Sequence, residues 1–131
     1  MMMRASTIKI IKHLFIALVL FISSDAFAGE WIAVDGGVVE IKIDSLSIEN
    51  DLWAYIHNNS AIKFEPRNTY VYQYLAISNS EILINALCRV DAKKSLHSEF
   101  VIVFDGGSCY FQVNYNFKTG TFSKLYVNGE A

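Results

Sequence analysis

From position 29 onward the chain reads as short apolar runs with period-two alternation, cut at regular intervals by turn residues. That is the pattern of a β-dominated domain, and helical periodicity is nearly absent. WIAV (31–34) is followed by Asp35-Gly36-Gly37, a turn in which glycine supplies positive φ. VVEIKI (38–43) then alternates, with Val39, Ile41 and Ile43 on one side and Glu40 and Lys42 on the other. SLSI (45–48), the turn Glu49-Asn50-Asp51 and LWAYI (52–56) read as two more short strands around a turn. AIKF (61–64) runs into Pro66, which cannot donate to a ladder and belongs in a loop or at a sheet edge. TYVYQYLAI (69–77) is a long strand with Tyr70, Tyr72 and Tyr74 on one face. EILINALCRV (81–90) fits a strand or a short helix, and its β-branched content and alternation favour the strand. After the polar connection DAKKSLHS (91–98), FVIVF (100–104), CYFQVNYNF (109–117) and TFSKLYV (121–127) predict a C-terminal three-stranded antiparallel meander. The expected fold class is therefore mainly β, with α+β as the alternative: one small antiparallel-sheet domain.

Composition changes this picture only at the start of the chain. Arg4, Lys9, Lys12 and His13 form a basic head, and Leu14 to Ile22 an unbroken apolar run. Such a run suits a signal h-region and falls short of the ~20 residues that a membrane-spanning helix needs. Ala26-Phe27-Ala28 supplies the small residues that signal peptidase accepts, so residues 1–28 are expected to be a cleaved leader and 29–131 a single mature domain. No cysteine stands at that site, so a lipid anchor is not expected. The leader carries three of the 11 Lys and Arg residues and one of the 13 Asp and Glu residues, leaving 8 against 12 and a mature net charge of −4. An acidic chain whose only basic pair is Lys93-Lys94 is a poor partner for nucleic acid, which is bound by neutralising phosphates. No later apolar stretch is long enough to cross a bilayer, and the expected location is the bacterial periplasm or beyond it.

The periplasm is oxidising, so Cys88 and Cys109 are expected to form a disulfide. Each lies on the apolar phase of its strand, which lets the sulfurs meet inside one core. The bridge closes a loop of about 20 residues, worth about 3 kcal/mol in the chain-entropy model. A redox pair would want Cys-x-x-Cys spacing, and a metal site more nitrogen and sulfur ligands nearby. His57 and His97 sit in polar stretches away from both cysteines.

No acid, base and nucleophile stand together, and His97-Ser98-Glu99 lacks the strand-to-helix elbow of a nucleophile. Asp35 and Asp105 each precede a glycine pair, but without the alternating oxygen ligands of a calcium loop. No catalytic residue, metal or cofactor is assigned. Tyr70, Tyr72 and Tyr74 form a candidate binding patch if their face is exposed, suited to a protein or glycan partner. Gln112, Asn114 and Asn116 are expected to face water.

Trp31 on a first short strand, the step Asp44-Ser45-Leu46-Ser47-Ile48, Trp53 in LWAYI and Cys88 closing a later strand follow one another in order. In these residues the stretch 31–90 resembles the surface-adhesin protein E family of small exported bacterial proteins. The resemblance implies a β-sheet domain with a helical element packed on it and binding of host extracellular proteins. Trp31, Asp44, Ser47, Ile48 and Trp53 are the motif positions. The expected role is non-enzymatic binding of another protein, such as a host matrix protein. The alternative is a periplasmic inhibitor or immunity protein that blocks a cell-wall hydrolase or toxin, with His97-Ser98-Glu99 or the Asp35 turn as the inserted loop.

Overall fold

The computed structural model describes residues 28–91 and 95–129. The expected leader lies outside them up to position 27, as do Lys93 and Lys94. Five strands, β1 (Glu30–Ala33), β2 (Val71–Ala76), β3 (Glu81–Leu87), β4 (Tyr110–Asn116) and β5 (Thr121–Val127), form one sheet in chain order. One α-helix, α1 (Ser45–Asn59), lies between β1 and β2 in sequence. The domain is mainly β, as expected, but its sheet is mixed: β1 pairs parallel with β2, while every other neighbour is antiparallel. Parallel neighbours need a long crossover connection, and α1 lies within it.

The helix corrects the expectation of strands at 45–48 and 52–56. Asp44 caps it by accepting a hydrogen bond from the Ser47 amide at 3.3 Å. Ile48, Leu52 and Ile56 recur every four residues and form a buried stripe, with Glu49 and Trp53 beside them. Glu49-Asn50-Asp51 is thus a helical turn rather than a chain reversal. Residues 38–43 and 61–64 are not strands; they run outside the sheet, with Ile41, Ile43 and Phe64 leaning on the core. FVIVF (100–104) is not a strand either, and the C-terminal meander is β3-β4-β5. Alternation in these three segments reports half-burial, which an extended chain laid over a sheet achieves without joining a ladder.

Strand register sorts the side chains onto two faces. Tyr72, Ala86 and Phe111 align across β2, β3 and β4, as do Tyr74, Ile84 and Val113. This face meets α1 in the main core. Trp53 stands at its centre, with ring centroids 5.5 Å from Tyr70 and 5.9 Å from Phe111. Its indole N–H donates to the Tyr72 hydroxyl at 2.9 Å, which donates in turn to the Arg67 carbonyl at 2.9 Å. A buried indole therefore has the polar partner it needs.

The opposite face carries amides in register: Gln73 on β2, Asn85 on β3 and Gln112 on β4. A strap, residues 95–105, crosses this face from one side of the sheet to the other. His97 O accepts from Asp35 N at 2.8 Å beyond the end of β1. Gln73 Nε2 donates to Leu96 O and Glu99 O, both at 2.8 Å, and its Oε1 accepts from Val101 N at 2.9 Å and Asn85 Nδ2 at 3.0 Å. Every hydrogen-bonding valence of that side chain is used. Asn85 Nδ2 also donates to Val101 O at 2.9 Å, and Gln112 Nε2 reaches Asn85 Oδ1 at 3.3 Å. Past β5, Asn128 Nδ2 donates to the Val103 carbonyl at 2.5 Å. Among the described residues no buried side-chain N or O lacks a partner. The amides of β4 were expected to face water; instead Asn114 is buried, and Gln112 and Asn116 are half-buried.

Cys88 and Cys109 form the expected disulfide, with Cα atoms 4.9 Å apart, beside a backbone bond from Cys88 N to Cys109 O at 2.8 Å. The loop it closes is the one that contains the strap. Gly106 and Gly107 turn the strap into β4 with φ of 102° and 62°, a region that side chains other than glycine's rarely adopt. In β5, Lys124 and Leu125 stand against Val113 in a bulge, and Lys124 takes a φ of 56°.

Gln73→Leu removes the side chain that binds the strap at three atoms and Asn85 at a fourth. Leaving these buried groups unpaired costs about 2–4 kcal/mol, read as a fall in ΔG of urea unfolding, with proteolysis beginning in residues 95–105.

Candidate functional site

The strap is extended, so its residues alternate between the sheet and solvent. Val101 and Val103 are half-buried, whereas Ile102 is 64% and Phe104 92% exposed. Tyr126, paired with Gln112 and therefore on the strap face of β5, is 63% exposed. These large apolar groups stand out from the strap face of the domain rather than packing into its core. The backbone beneath them is fixed by the Asn85 and Asn128 amides, which hold the carbonyls of Val101 and Val103.

The tyrosine row packs into the sheet's core rather than forming the candidate patch. Tyr70 and Tyr72 are fully buried and Tyr74 is half-buried. The Tyr70 hydroxyl donates to Ser108 O at 2.6 Å and accepts from Glu65 N at 3.1 Å, tying two loops to the core. Trp31 stacks on Tyr72 with centroids 4.6 Å apart and planes 16° from parallel, and lies 6.1 Å from Tyr74. Burial pushes the Tyr70 phenol up to about 12 and the Tyr72 phenol higher still, because the phenolate loses its hydration.

The motif positions Trp31, Asp44, Ser47, Ile48 and Trp53 are structural. They start the helix, fill the core, or hold Glu49. Glu49 itself is 0% exposed. One carboxylate oxygen accepts from Gly29 N at 2.8 Å and from the Trp31 indole at 3.1 Å. The other accepts from Arg67 Nε at 2.8 Å and from its Nη2, which also donates to Asn50 Oδ1 at 2.7 Å. The ion pair and the extra donors together satisfy a buried charge that would otherwise be costly. Sequence reading singled out neither Glu49 nor Arg67, and the only available signal was a carboxylate on the apolar side of the Ile48, Leu52, Ile56 stripe.

Two open clefts flank these elements. One, of about 520 Å³, lies between α1 and residues 62–67 and is lined by Trp53, His57, Phe64 and Arg67. The other, of about 630 Å³, lies between residues 33–42 and 74–76. Among the described residues, no three His, Cys, Asp or Glu side chains gather as metal ligands, and no helix is long and apolar enough to cross a membrane. His97-Ser98-Glu99 is exposed at the start of the strap, where its backbone meets the Asp35 turn.

No family model, no curated protein and no solved structure matches the chain.

The raised tyrosine values make the fold alkali-sensitive. A folded value above the usual 10 means that the stabilisation is fully present below pH 10 and is lost as pH rises toward 12. Urea titrations at pH 9 and pH 11 should show that loss. Tyr70→Phe lowers stability at pH 9 by about 1–2 kcal/mol through its two lost hydrogen bonds, and flattens the fall between the two pH values.

Proposed function

We propose that the mature chain is an exported, non-enzymatic binding protein of the adhesin E-like kind, whose strap presents Ile102 and Phe104 to a protein partner. The observation that carries this reading is their exposure on a backbone that is already hydrogen-bonded in place. Burying each side chain under a partner contributes about 1.5–3 kcal/mol. Because the strap is held in advance, little of that gain is spent on ordering a loop. The disulfide and the leader motif support action outside the cytosol. The order of Trp31, Asp44, Ile48, Trp53 and Cys88 supports a host extracellular protein as the partner.

A second reading, inhibition of a cell-wall hydrolase or toxin, draws support from one contact. The bond from Asp35 N to His97 O joins the two loops best suited to enter a cleft into a single corner.

The two readings separate in one set of measurements on exported, oxidised protein. Binding to immobilised extracellular-matrix proteins should weaken by about tenfold or more in the Ile102→Ser, Phe104→Ser double variant, with its melting temperature unchanged. Equal binding by variant and wild type, or no binding by wild type, contradicts the adhesin-like reading. Loss of muramidase activity on titration with wild type, undone by His97→Ala, would favour the inhibitor.

A further inference from the structure

The peptide bond that the leader motif marks for cleavage is the one whose nitrogen Glu49 already holds. Gly29 N lies 2.8 Å from Glu49 Oε1, inside a slot that admits only glycine. A Cβ at position 29 would stand 2.5 Å from the Tyr72 ring, 2.6 Å from Tyr70 O and 3.1 Å from Arg67 O. A close fit around Gly29 and a fully buried carboxylate aimed at its nitrogen are two independent features of one place. Both are unexpected at a chain position that does nothing but link a leader to a domain.

We infer that Glu49 is the binding site for the chain's own new N-terminus, so that leader removal completes the fold. The inference rests on processing after Ala28, part of the export reading. Signal peptidase adds water across the Ala28–Gly29 bond: the Ala28 carbonyl carbon takes the hydroxyl and leaves as a carboxylate, and Gly29 N takes protons to become an ammonium. Before cleavage Glu49 accepts from a neutral amide at this atom. Afterwards it faces a cation at the same distance, and charge-assisted bonds of this kind are roughly twice as strong as neutral ones. The unprocessed chain lacks that contribution, which suits a chain that must stay unfolded to cross the membrane.

The charged and titratable groups around the new terminus are Glu49 from α1, Arg67 from the turn before β2, the exposed Glu30 next in β1, and Tyr70 and Tyr72 from β2. Arg67 opposes the ammonium, but it sits on the other carboxylate oxygen, so the attraction acts over the shorter distance. An opposite charge this close holds an α-amino group above its ordinary range, because the carboxylate favours the ammonium form. The added stability is therefore fully present below the ordinary range of an α-amino group and is lost as pH rises through the raised value.

The test compares the exported full chain with a variant carrying one alanine inserted between Ala28 and Gly29. The small-x-small spacing keeps cleavage after Ala28, so the variant begins one residue earlier and restores a neutral amide at Gly29. Ala28 occupies that place in the structure, so the extra residue is accommodated. Intact mass should show a wild-type chain starting at Gly29 and a variant one alanine heavier. At pH 7 the wild type should melt about 3–6 °C higher, and the two should converge above pH 10. Correct masses with superimposed melting curves overturn the inference and leave export standing. A wild-type mass starting anywhere else overturns both.

Discussion

Gln73, Asn85 and Gln112 lie side by side across three central strands, and three amides in a row cannot be covered by an apolar helix without heavy cost. They need donors and acceptors in return, and backbone is the densest source of both. The strap supplies it: two carbonyls and one amide to Gln73, and one carbonyl to Asn85. The sheet is thus covered by a helix on its apolar face and by hydrogen-bonded chain on its polar face. A loop with no secondary structure of its own gains a fixed path because each of its bonds has one designated partner.

The disulfide acts on the same element from its ends. Joining Cys88 to Cys109 closes the strap's own loop and removes about 3 kcal/mol of chain entropy from the unfolded state, on the entropic model. The amides then choose one conformation from those the closed loop allows. On the other side of the sheet a comparable logic centres on Glu49, which joins α1, the start of β1 and the turn at Arg67 through a single buried carboxylate. Both nodes are polar, buried and fully satisfied, the condition under which such groups specify a structure rather than weaken it. The exposed Ile102 owes its position to the first of them, through the bonds at Val101.

Much of the sheet was legible in the chain. The strands at 71–76, 81–87, 110–116 and 121–127 fall within runs whose alternation and turn residues announce them, and the cysteine pair followed from phase and the expected compartment. The helix was obscured because Glu49-Asn50-Asp51 has the composition of a turn, although the spacing of Ile48, Leu52 and Ile56 and the cap at Asp44 were present. The segments at 38–43 and 100–104 alternate as strands do, but pairing depends on a neighbour with a free edge, which a single segment does not reveal. The candidate site was less legible. Three tyrosines at alternate positions look the same whether a helix covers them or not, and α1 covers two of them. Gln73 and Asn85 gave no signal, since an amide inside a strand is read as solvent-facing until the chain across it is known.

Native-state hydrogen exchange at the Val101 amide is the most direct test of the ladder, because that N–H donates to Gln73 Oε1 and belongs to no sheet pairing. If the amides hold the strap, Val101 exchanges within about tenfold of the β3 amides, opening only when the sheet does. Exchange at the rate of its neighbour Ile102, or of any freely solvated loop, would show that the strap rests on the sheet without being bound to it.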